Sequence, residues 1–137
     1  MTDSARGFPI AVLVSGGGMT LLVLIAILVM DPIIIFLWGE EFTEAASLFP
    51  WLAMGYAASG FQVANDPFYL YSGRMSAALR INLVLFVAGV GMIVTGAVVA
   101  GPKGAAIGTS LCRASGMVHL VYIGRYFRRT ADQAARG

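Results

Sequence analysis

The sequence predicts an all-α integral membrane protein, a bundle of four transmembrane helices with both termini cytoplasmic. Three observations predict it. First, the 137 residues are 58% hydrophobic and only 12% charged, against roughly 25% charged in a soluble domain. So little charge on so short a chain cannot cover a water-facing surface, which excludes a soluble globular enzyme and a disordered tail. Second, four long runs carry no charge or a single one. Third, the basic residues gather on one side of those runs.

A crossing needs about 20 mostly apolar residues, since a helix rises about 1.5 Å per residue through about 30 Å of hydrocarbon. Gly7 to Met30 is the first such run, Ala45 to Asn65 the second and Ile81 to Pro102 the third. The fourth, Gly104 to Gly124, is interrupted only by Arg113. Continuous runs such as LLVLIAILVM and INLVLFVAGV lack the alternation of a β-barrel, and only a helix satisfies its own backbone in lipid.

The first helix spans residues 10–30, or 10–38 if IIIFLW completes it beyond Asp31-Pro32. It is too long for a signal peptide and no small-residue cleavage site follows Met30. Trp38 suits the interface. Gly39-Glu40-Glu41-Phe42 forms a turn, and Thr43 is placed to N-cap the second helix, with Glu44 in its first turn. That helix, 44–71, carries Pro50, Gly55, Gly60 and Asn65-Asp66-Pro67, and ends in an aromatic belt of Phe68, Tyr69 and Tyr71. After the turn Ser72-Gly73-Arg74, the third helix covers 76–100. Gly101-Pro102-Lys103-Gly104 is a tight turn, the fourth helix covers 104–127, and 128–137 is a polar, frayed tail.

Cytoplasmic loops collect Lys and Arg. Four crossings put both termini and the 72–80 loop on one side, together with Arg6, Arg74, Arg80, Arg125, Arg128, Arg129 and Arg136, seven of the nine basic residues. The other side holds Lys103 with Asp31, Glu40, Glu41 and Glu44, and Arg113 lies within the membrane. A net charge of +2 with dispersed basic groups gives no nucleic-acid partner. The single cysteine, Cys112, reads as a small apolar side chain, and no Cys/His cluster offers a metal site. No cofactor is implied.

Arg113 is the most informative residue. A central arginine costs about 2.5–3.5 kcal/mol to insert and usually faces protein or a wet cavity. It reads either as a contact for an anionic substrate, through bidentate phosphate binding, or as a structural arginine held by backbone carbonyls or an amide such as Gln62. Asp66 reads as a protonatable or cation-binding carboxylate, or as an interfacial residue beside a helix break. Counted along the axes, Asp66 and Arg113 differ by about 12 Å in depth, which disfavours a direct pair. His119, about 240° around the helix from Arg113, is a titratable ion or proton site or a packing histidine. Ser15-Gly16-Gly17-Gly18 is no phosphate loop: no strand precedes it and no Lys-Ser/Thr follows. Its glycines, with Gly55, Gly60, Gly89, Gly91 and Gly96, permit close helix packing. The outer glutamates read as a solvated loop. No enzyme constellation is present, and the chain is read as a non-enzyme.

Three segments in order resemble bacterial polysaccharide flippases. IIIFLWGEEFTEAASLFPWLAMG resembles their junction of an apolar helix, a Leu/Phe-Gly-x-x-Phe turn and an Ala-rich helix. YLYSGRMSAALRINLVLFV resembles their helix ending at Gly-Arg followed by a helix with an early Asn. VVAGPKGAAIGTSL resembles their Gly-x-x-Gly-Ala-Ala turn. The matching positions are Gly39, Phe42, Ala45, Gly73, Arg74, Asn82, Gly101, Gly104, Ala105 and Ala106, across residues 33–112. These exporters belong to the multidrug/oligosaccharidyl-lipid/polysaccharide (MATE-like) superfamily and include O-antigen and capsule flippases of cell-envelope and lipopolysaccharide synthesis.

The resemblance implies a multi-pass protein of the bacterial inner membrane that flips a lipid-linked oligosaccharide by alternating access, with no ATP site. Arg113 would then suit the substrate's diphosphate, although it matches none of the three motifs. Family members have two lobes and many more helices. Four helices correspond to the C-terminal part of one, so the expected partners include the bilayer, the missing lobe or further copies of the chain. The alternative is a non-catalytic structural or accessory four-helix membrane protein. A small drug exporter would want a carboxylate in the first helix, and Gly7 to Met30 contains none.

Overall fold

The computed structural model describes residues 2–134. Its secondary structure is entirely helical among the described residues. The order is α1 (Thr2–Trp38), a single 3₁₀ turn (Glu40–Phe42), α2 (Thr43–Gly60), α3 (Asn65–Tyr71), α4 (Met75–Ser115) and α5 (Val118–Ala134). Among the described residues two segments are long and apolar enough to cross a membrane, Gly7–Trp38 and Met75–Gln133, and in each the most apolar window is only 6% buried.

The first helix starts earlier than expected, at Thr2, and continues through Pro32 to Trp38. Proline removes one ladder bond, but the apolar residues on both sides hold the helix together past it. The expected N-cap at Thr43 is a correction: Phe42 is the N-cap residue, and the Thr43 hydroxyl donates back to the Glu40 carbonyl at 2.5 Å. The 3₁₀ turn already supplies the entry into α2, so no side-chain cap is used.

The second helix is not continuous over 44–71. It breaks at 61–64, where Phe61, Gln62 and Asn65 donate to Ala58, Ser59 and Gln62 in tight i→i−3 bonds. Pro67 has no N–H to return to residue 63 and restricts the residue before it. The chain therefore restarts as α3, with Pro67 in its first turn.

Within α4, Ala100 and Gly101 leave helical geometry, Gly101 at φ 59° and ψ −143°. This break divides α4 into two arms that fold back on each other. The contact is made of small residues: a side chain at Gly108 would meet the Met92 carbonyl oxygen at 2.6 Å and the Ile93 Cα at 2.9 Å, and one at Gly104 would meet the Gly96 carbonyl. Gly104 and Gly108 form a G-x-x-x-G spacing, which lets backbones approach closely. Gly39, Gly73 and Gly101 are the three glycines with positive φ among the described residues, so the three turn glycines occupy backbone that other residues rarely adopt.

The polar tail is a further correction. Residues 128–134 continue α5 as helix, because Tyr126 and Phe127, packed on Phe68, already nucleate the helix and its extension costs little. Residues 135–137, including Arg136, lie outside the described residues.

Cross-contacts place the segments in depth. Near one end, the Ser110 hydroxyl donates to the Trp51 carbonyl and Lys103 Nζ lies 5.3 Å from the Trp51 ring centroid. Deeper, Gly55 abuts Ser110 and Arg113, and Gln62 abuts Gly116. Tyr69 then meets His119, and Arg74 meets Tyr122. The α2–α3 stretch thus runs parallel to the second arm of α4 and α5, while α1 runs antiparallel to α2, with Gly16 against Phe61 and Gly60 against Met19. A cluster of large buried side chains, Tyr69 and Ile123 with Phe8, Phe68, Tyr122 and Phe127 around them, sits at the Arg74 end.

Candidate functional site

A polar cavity of about 150 Å³ lies where α3, the first arm of α4 and α5 converge, lined by Gln62, Asn65, Asp66, Tyr69, Asn82 and His119. Helical spacing explains four of these. Gln62, Asn65, Asp66 and Tyr69 recur at intervals of three, one and three residues, so they form one stripe. Asn82 comes from the antiparallel arm. His119 is delivered by the short Gly116-Met117 link, whose i→i−3 bonds wind the chain more tightly than an α-helix before α5 begins.

His119 is buried and both ring nitrogens are engaged. Its Nε2 is 2.9 Å from Asn82 Oδ1, and its Nδ1 is 2.8 Å from the Tyr69 hydroxyl. Asn82 Oδ1 can only accept, so Nε2 carries the proton and Nδ1 accepts from the tyrosine. The neutral imidazole is fully satisfied in this arrangement. Tyr69 is only 1% exposed, so its hydroxyl has no solvent alternative. Asn65 is buried too, and its Oδ1 has no hydrogen-bond partner. Asp66, exposed at the rim, adds a carboxylate. The cavity thus presents a bonded chain, Tyr69–His119–Asn82, flanked by one free acceptor and one carboxylate. Such an arrangement can relay a proton or hold a small hydrogen-bonding ligand.

Arg113 lies nearer the opposite end. Its guanidinium carbon is 3.9 Å from the Tyr56 ring centroid, a cation–π contact. Gln62 does approach Arg113, as one reading anticipated, but through the backbone: its Nε2 donates to the Arg113 carbonyl at 2.7 Å. The same carbonyl also accepts from the Gly116 N–H at 3.3 Å, so the amide adds a second donor where the helix breaks. Gln62 therefore connects the arginine's backbone to the polar cavity.

The structure brings together Asp66, His119 and Asn82, three positions singled out separately in the sequence, and keeps Arg113 apart from them. Gly39, Phe42, Gly101, Gly104, Ala105 and Ala106 serve turns and helix contact away from the cavity. Sequence reasoning missed Tyr69 and Asn65. Tyr69 was read as an interfacial ring, although its place seven residues after Gln62 put it on the polar stripe. Tyr56 was missed as well, since nothing in a single sequence pairs it with Arg113. Among the described residues no group of three or more His, Cys, Asp or Glu is positioned to hold a metal ion. Comparison of the chain with protein-family models, with curated proteins and with solved structures finds no match.

Proposed function

We propose that this chain is a multi-pass protein of the bacterial inner membrane whose four helical rods form part of one lobe of a lipid-linked oligosaccharide flippase working by alternating access. The observation that carries the membrane part of the reading is the exposure of the apolar segments. Leu28 is 78% exposed, Phe36 88% and Val98 81%. Helices apolar on all sides need an apolar surrounding, which lipid supplies on the outer faces and a second lobe or copy supplies on the inner one.

The transport part rests on three supports: the motif order along residues 33–112, the breaks at 61–64, 100–101 and 116–117, and two polar features inside apolar rods. Broken helices at membrane depth are tolerated where they are buried in protein or line a cavity. In this reading Arg113, held over the Tyr56 ring, meets the diphosphate that links lipid to sugar, and the His119 cavity takes part in coupling to an ion or proton gradient. The four crossings put the Arg74 end in the cytoplasm.

The test is Arg113→Ala at the chromosomal locus, with deletion of the whole segment beside it. The reading predicts loss of surface glycan and accumulation of lipid-linked oligosaccharide in the inner membrane for both, at wild-type membrane levels of the variant. Unchanged surface glycan after deletion overturns transport and leaves a structural or accessory membrane protein.

A further inference from the structure

The end of α5 and the turn before α4 enclose a second polar pocket, of about 370 Å³, that takes no part in the His119 cavity. Its walls include Arg74, Tyr122, Arg125, Tyr126, Arg129 and Thr130. At about 100° per residue, the five from α5 fall within about 140° of one helix face. Arg128 does not: it lies about 60° beyond the edge of that face. Arg74 approaches from across the pocket. Its Nη1 donates to the Tyr122 hydroxyl at 3.3 Å, and its guanidinium carbon sits 4.5 Å from the Tyr126 ring centroid.

Three arginines therefore line one space, and among the described residues no carboxylate lines it. Each carries five donors in a planar fork that matches phosphate oxygens. Like charges placed together in this way repel unless an anion sits among them. The Tyr122 and Tyr126 hydroxyls add neutral donors, and the aromatic cluster of Phe8, Phe68 and Phe127 lies alongside. An apolar cluster next to an arginine cage is the arrangement met at a membrane–water boundary, where acyl chain and headgroup part.

We propose that this pocket binds a phosphate group, presented by an anionic lipid headgroup of the leaflet on the Arg74 side. The proposal rests on the membrane reading above. Phosphate oxygens supply acceptors for the three arginines, and the tyrosines hold the ester oxygens.

The test uses the full chain purified in detergent and stripped of lipid, with bound phospholipid counted by native mass spectrometry. Phosphatidylglycerol, phosphatidylcholine and inorganic phosphate are the three probes. Removing two surface cations, each worth about fivefold, predicts that Arg125→Gln with Arg129→Gln weakens phosphatidylglycerol binding about 25-fold. Arg128→Gln, off the pocket face, stays within about twofold of wild type, below the roughly fivefold that a single cation is worth at a membrane surface. A loss of about fivefold in Arg128→Gln, the same per charge as in the pocket variant, overturns the pocket in favour of diffuse charge. Equal binding of phosphatidylglycerol and phosphatidylcholine overturns anion recognition. Inorganic phosphate binding as tightly as phosphatidylglycerol assigns the site to free phosphate and overturns the lipid source. Retained helical circular dichroism in each variant excludes misfolding as the cause. Resistance of the chain to alkaline carbonate washing of membranes is read separately, so failure of the membrane reading is distinguishable from failure of this one.

Discussion

Replacing His119 by leucine should destabilise the protein chiefly through Tyr69. The tyrosine is 1% exposed and its hydroxyl is bonded to His119 Nδ1 at 2.8 Å. Leucine leaves that hydroxyl buried without a partner, at a cost of about 1–3 kcal/mol. Asn82, bonded at the other ring nitrogen, is exposed and turns to solvent or headgroups instead. Tyr69→Phe alone orphans the histidine nitrogen at a similar cost. The double variant removes both partners and should cost less than the two single variants together. Hydrogen bonds between membrane helices couple by about 0.6 kcal/mol on average and up to about 1.7 kcal/mol in such cycles, since the unfolded state also finds partners. A coupling in that range is therefore expected, measured by SDS unfolding of the detergent-solubilised chain followed by circular dichroism. A coupling within about 0.3 kcal/mol of zero, well below the average for such bonds, would refute the reasoning that Tyr69 and His119 form a buried, mutually satisfied pair.

Gly104→Leu drives a side chain into the Gly96 backbone and should cost about 1–3 kcal/mol or more in the same assay. Gly17→Ala meets nothing within 4 Å and should stabilise by up to about 1 kcal/mol through helix propensity. Gly101→Ala forces a Cβ into φ 59°, ψ −143° and should cost about 1–3 kcal/mol, opening the α4 hairpin. Tyr56→Leu removes the ring beneath Arg113 and should cost about 0.5–2 kcal/mol. An Arg113→Leu background should abolish most of that penalty, which a double-mutant cycle reads directly.

The turns were the most legible part of the chain. Gly39, Gly73 and Gly101 were identified from punctuation alone, because a positive φ demands glycine and the flanking apolar runs mark where the chain must reverse. The all-helical class followed from run length and continuity. Element limits were less legible. Pro32 sits inside α1 while Pro67 accompanies a break, and local sequence does not separate the two cases, since packing and neighbouring glycines decide whether a proline is absorbed. The polar cavity was half legible: the stripe Gln62, Asn65, Asp66, Tyr69 is a helical period in plain view. The join to His119 and Asn82 was not. It depends on register between three segments and on the tight link at Gly116-Met117, which shifts the phase that a straight helix would give. Arg74 was read as a turn residue and cytoplasmic charge. Its place opposite Tyr122 and Tyr126 comes from the fold alone.

Cysteine accessibility across the membrane tests the central claim most directly. In a Cys112→Ser background, single cysteines at Glu40, Lys103, Arg74 and Arg128 would be exposed to a membrane-impermeant maleimide in intact spheroplasts. The account predicts labelling at positions 40 and 103 in intact spheroplasts, and at 74 and 128 only after permeabilisation. Labelling of 74 together with 40, or release of the chain by alkaline carbonate, would contradict a four-crossing membrane protein with its arginine end in the cytoplasm.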